Sequence, residues 1–201
     1  PDSVLLTPGS RGVMSKLASQ VHTPPELLTV IDRLVPRPEG VYALINALGA
    51  YEYWGMNRNG DAFPEWSLLG QTPPDDVKTS VTRWNENPKN KDRQRVIPAP
   101  DTYGYKTFAT NAHPFILHAN KDPLKTTGEV IASAYNHHMH RVELIVFIYE
   151  ARDPEGVKAL REERPVAWSM GARVPWDRCS ICSNLAKNRS GAHQVLGTEL
   201  C

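Results

Sequence analysis

Cysteine is scarce in this chain: three among 201 residues, two of them in "CSIC". So few thiols make no disulfide framework and fit a reducing compartment, with a metal or thiol site at the pair. Charge of one dominant sign is missing as well, since 23 Lys and Arg face 22 Asp and Glu for a net charge of +1. That balance removes the bulk electrostatic reason to expect nucleic acid or an acidic membrane as partner. No long hydrophobic run occurs either. The longest, "VELIVFIY", has strand length, far below the ~20 residues of a membrane span. No signal-peptide pattern opens the sequence. It starts at Pro1 and stops at Cys201, and reads as a processed product or a fragment.

Proline, by contrast, is plentiful. Its 17 copies point to short elements and long ordered loops rather than a helical bundle. Residues 1–22 are polar and Gly/Ser-rich and read as an arm. "HTPPELLTVIDRLVP" predicts a helix with Thr23 as N-cap and Glu26 completing a capping box; Leu27, Leu28, Ile31 and Leu34 share one face. "GVYALINALGAYE" reads as a strand entering the core, and "NRNGDAFP" as turn chemistry in which Asp61 serves the turn rather than a ligand. Residues 73–101 read as a long exposed connection with one short helix near Val77 to Trp84. Its basic "KNKDRQR", diluted by Glu86 and Asp92, is a solvated loop.

Strand signals then concentrate in "HPFILH", "GEVIASAYN" and "HRVELIVFIYEA", with "NHHM" as a hairpin turn in which His137, His138 and His140 are solvated. "DPEGVKALREER" predicts a helix opened by Asp153 and Pro154, and "PVAWSMGARV" a further strand. The expectation is a β-rich α+β domain over 23–176, preceded by the arm 1–22 and followed by a Cys-containing appendage over 177–201. No internal repeat is visible.

One serine stands out in the last strand. Ser169 lies between Trp168 and Met170 and precedes Gly171. Alternation would send Trp168 and Met170 into the core and Ser169 to the opposite side. A serine hydroxyl becomes a nucleophile only with a base in hydrogen-bond reach, and His118, closing "FILH" before a polar turn, offers an imidazole.

In this order "YEYWGMNRNGDAFP", "FILHANKDPLKTTGEVIASAYNHHMHRVELIVFI" and "VAWSMGARVPWDRCSIC" resemble the prohead (capsid maturation) proteases of tailed bacteriophages, themselves similar to the herpesvirus assembly proteases. The shared pattern is a strand-closing histidine, Gly-x-Val, an apolar strand, a helix, then Ser-x-Gly. Here those positions are His118, Gly128 with Val130, "VELIVFI", "GVKALREER", and Ser169 with Gly171. The resemblance spans roughly residues 40–182. It implies a barrel-like β-rich fold with flanking helices and a serine endopeptidase with Ser169 as nucleophile and His118 as general base. Gly171 would leave room for substrate and an oxyanion hole, and Arg173 on the Ser169 side would assist it. Scaffold and major capsid proteins would be the substrates, inside the immature shell in the host cytoplasm; self-association is left open. A third triad member is not assigned. Asp177, His193 and Glu199 follow Ser169 outside any strand context, and His140 and Glu143 precede it on opposite faces of their strand.

Cys179 and Cys182 have the spacing that places two thiolates on one zinc ion, with His193 and Cys201 as further candidate ligands. A structural zinc is expected, and no catalytic cofactor. Two other functions compete: a non-catalytic capsid-assembly protein that keeps the protease fold, and a zinc-knuckle nucleic-acid-binding module, which the neutral charge balance opposes.

Overall fold

The computed structural model describes residues 3–6, 23–56, 61–116, 122–164, 166, 168, 176–179 and 183–185. They fall into two compact units, residues 3–71 with 101–168, and 72–100 with 176–185.

The first unit is built on an antiparallel sheet. β1 (Ser3–Leu6), β2 (Gly40–Gly49), β3 (Gly128–Asn136) and β4 (Arg141–Tyr149) stand in the order β1-β2-β4-β3. Alternation decides what each face holds. Tyr42 and Leu44 of β2 with Ile145 and Phe147 of β4 point one way. Ala43 and Ile45 with Val142, Leu144, Val146 and Ile148 point the other. Both faces of β4 are covered, so 142–148 is buried throughout, as a near-continuous apolar run requires.

α1 (Pro25–Ile31) closes the first face with Leu27 and Ile31. Its start differs from the expected capping box. Pro24 is the N-cap, no side chain caps the turn, and the Thr23 hydroxyl is buried without a partner. Two successive prolines fix the entering chain at φ values the first turn tolerates, and they leave few N–H groups for a cap to satisfy. α2 (Tyr51–Trp54) and α3 (Glu65–Leu69) follow β2, and Leu68 of α3 joins the second face.

The predicted hairpin between β3 and β4 is present. The Asn136 carboxamide oxygen accepts from the N–H groups of His138 and Met139 at 3.1 and 3.0 Å, an Asx turn that fixes the reversal. Gly128 opens β3 because a Cβ there would run into the Phe147 carbonyl. Both the β2–β4 and the β3–β4 ladders slip register once, near Asn46/Leu48 and Val130/Ala132.

In the second unit, residues 73–101 are more than the expected exposed connection. α4 (Asp75–Glu86) buries Val77, Ser80, Val81 and Trp84. The Trp84 indole N–H donates to the Arg93 carbonyl at 2.7 Å. The Asn85 side chain pairs with both backbone groups of Arg95, at 2.8 and 2.9 Å. The polar stretch is thus folded back on the helix, with Leu185, Ile97 and Trp176 completing a small apolar cluster.

Returning to the first unit, α5 (Phe108–Asn111) packs near β3. α6 (Pro154–Arg161) starts as predicted, the Asp153 carboxylate accepting from Gly156 N–H at 2.8 Å. Its Val157 and Leu160 close the second face of the sheet. The fold is α+β. The expected barrel is not found: among the described residues the sheet is open, with β1 and β3 as its edges.

Candidate functional site

Ser169, His118, Gly171 and Arg173 lie outside the described residues, as do Cys182, His193 and Cys201. The nearest described residues along the chain are 116 and 122 on either side of His118, and 166 and 168 before Ser169. The chain that leads to His118 and returns is pinched at its base, where the Thr127 N–H and Thr126 hydroxyl both donate to the Pro114 carbonyl, at 2.9 and 3.1 Å. That base adjoins Gly128, where β3 begins. The described part of "HPFILH" is not a strand; residues 113–115 carry no regular structure. Two prolines within that region, at 114 and 123, remove ladder donors. On the other side, Val166 and Trp168 pack against the apolar cluster on the second face of the sheet. The Trp168 indole nitrogen is buried without a partner.

The described residues also assemble a constellation that the sequence did not suggest. His140 ends the hairpin turn at φ 49°, and its Nδ1 lies 2.9 Å from Glu65 Oε1 on α3. The Tyr135 hydroxyl donates to the same oxygen at 2.7 Å, and the Glu65 backbone N–H donates to Glu52 at 2.9 Å. Hydrogen bonds from His140 and then Tyr135 hold the Glu65 carboxyl below the usual carboxylate range. Burial, and donation to Glu65, push the Tyr135 phenol well above its ordinary value. An ionised carboxylate only accepts, so the hydrogen in this contact sits on His140 Nδ1. The Tyr53 ring lies on the imidazole at 3.4 Å and 7°. The arrangement is an imidazole oriented by a carboxylate and a stacked ring, with no hydroxyl or thiol bonded to it among the described residues. The expectation of a merely solvated turn therefore fails for His140.

Glu143, on the other face of β4, is fully buried. Arg141 contacts its Oε1 at 2.8 and 2.6 Å, and Asn136 donates to that oxygen at 3.1 Å, while Oε2 has no partner. Burial outweighs these donors and raises its pKa. Among the described residues no group of three or more metal-ligating side chains converges. Cys179 sits in a tight turn: its carbonyl accepts from Ser183 N–H at 3.0 Å, its N–H donates to Asn184 at 2.9 Å, and Ser183 adopts φ 61°.

Comparison with protein-family models, with curated proteins and with solved structures gave no match to this chain.

Proposed function

We propose that the chain is a serine endopeptidase of the prohead-maturation type, with Ser169 as nucleophile and His118 as general base, acting on scaffold and major capsid proteins inside an immature shell. The observation that carries this reading is the succession of elements between the two motifs. Thr127 bonded to Pro114 precedes a Gly128-opened hairpin, then a capped helix, then Val166 and Trp168 packed on the sheet's core, with His118 and Ser169 falling between and after these in the sequence. In the reaction Ser169 Oγ attacks the scissile carbonyl while His118 takes its proton. The same imidazole returns that proton to the leaving amine, and water then releases the acyl group. Structural zinc on the Cys179 and Cys182 thiolates belongs to the same proposal, resting on their Cys-x-x-Cys spacing. Its part would be to hold residues 177–201 together, with no role in the peptide chemistry.

The test is co-expression with scaffold and capsid substrate. Ser169→Ala should remove processing by several orders of magnitude while the protein stays folded. Undiminished processing would make Ser169 structural. The unassigned third triad member favours a second reading, a non-catalytic assembly protein, and an inactive wild type that still joins capsids would establish it.

A further inference from the structure

Of the eight large apolar side chains exposed among the described residues, four fall within six consecutive positions: Tyr51, Tyr53, Trp54 and Met56, at 41, 56, 53 and 59% exposure. Exposed aromatics scattered singly need no explanation, but a contiguous group does. This one is held in place. The Trp54 indole N–H donates to the Met139 carbonyl at 2.7 Å, and its ring occupies the space that a Cβ on Gly49 would take, 2.6 Å away. Tyr53 is fixed by its stack on His140. Rings locked at a surface lose little entropy when a partner covers them, which is the economy of a binding platform.

The charge beside the platform selects the partner. Glu52 projects from the same helical turn and accepts the Glu65 N–H, and Glu65 is kept anionic. Among the described residues, the hairpin's one arginine, Arg141, is committed to Glu143 on the opposite face. Two carboxylates repel phosphate, which argues against nucleic acid, and they attract a guanidinium or ammonium that can also lie over Trp54 or Tyr51. We infer that this surface docks a peptide segment of a protein partner carrying Arg or Lys next to an apolar residue, the apolar side chain on the rings and the cation against Glu52. The inference is independent of the reading of Ser169, because it concerns binding alone.

The experiment is selection of a random dodecapeptide display library on the full chain, with counter-selection on Tyr53→Ala. Enriched peptides, synthesised with a fluorescein label, are then titrated by anisotropy. The expected result is enrichment of Arg or Lys beside Leu, Ile or Phe, with affinity reduced at least tenfold by Tyr53→Ala and by Glu52→Lys. Met56→Ala, at an exposed position with no hydrogen bond to lose, should weaken binding in a protein whose fold is beyond question. Absence of enrichment, a consensus without a basic residue, or peptides that bind all variants equally would overturn the inference. So would retention of cellohexaose or poly(U) RNA in place of any peptide, reversed by Tyr53→Ala.

Discussion

Glu65 and Glu143 occupy the same end of the β3–β4 hairpin on opposite faces of one sheet, and their environments push them apart. Glu65 keeps about a quarter of its side chain in water and collects donors from His140 and Tyr135, so it stays ionised below the usual range. Glu143 has no exposure, concentrates its donors on one oxygen, and is raised by burial despite Arg141. The same residue type becomes an anchor for an imidazole in one place and a reluctant charge in the other. Partial solvation with well-placed donors makes the difference, and this is why a reactive-looking cluster lies on the face that α3 only partly covers.

Breaking the buried side of the comparison should have the largest effect. Arg141→Met would leave Glu143 uncompensated, and about 3–5 kcal/mol of stability should be lost in urea unfolding. Asn136→Ala removes the turn acceptor for His138 and Met139 together with a donor to Glu143, and about 2 kcal/mol should go with it.

A pH series sharpens the comparison because the two carboxylates act with opposite sign. A depressed folded pKa at Glu65 gives stability that is present above the ordinary carboxylate value and is lost as pH falls through the depressed one. A raised folded pKa at Glu143 means that the folded state binds its proton first. Its contribution therefore declines as pH rises from the ordinary carboxylate value through the raised one. Urea midpoints from about pH 3 to 7 should show Glu65→Gln flattening the acid limb and Glu143→Gln flattening the decline on the less acidic side. Smallest of all, Tyr53→Ala should change stability by less than about 1 kcal/mol, since the residue is 56% exposed and packs only one face on His140.

Elements with strong local signals were legible before folding was considered. The strand-length apolar run "VELIVFIY", the turn "NHHM" and the Asp153-Pro154 start all appear where the residues place them. The sequence predicts a capping box at Thr23 that the helix does not use, because the adjacent prolines set its start by themselves. Residues 73–101 were underestimated for another reason. Their polar side chains hydrogen-bond back to α4 rather than to water, as Asn85 does with Arg95, and composition does not distinguish the two. The Glu65–His140 pair was invisible because its members stand 75 positions apart, joined only when β2, α3 and the hairpin meet. The one available signal was a carboxylate and a histidine each placed at the edge of an apolar element.

The proposed nucleophile has the most direct test. The folded protein is treated with a fluorophosphonate and the adduct mapped by mass spectrometry, in wild type, His118→Gln and His140→Gln. The account predicts a single adduct on Ser169, formed at least about 100-fold more slowly in His118→Gln and at an unchanged rate in His140→Gln. An unlabelled Ser169, or labelling that ignores His118 and depends on His140, would contradict it.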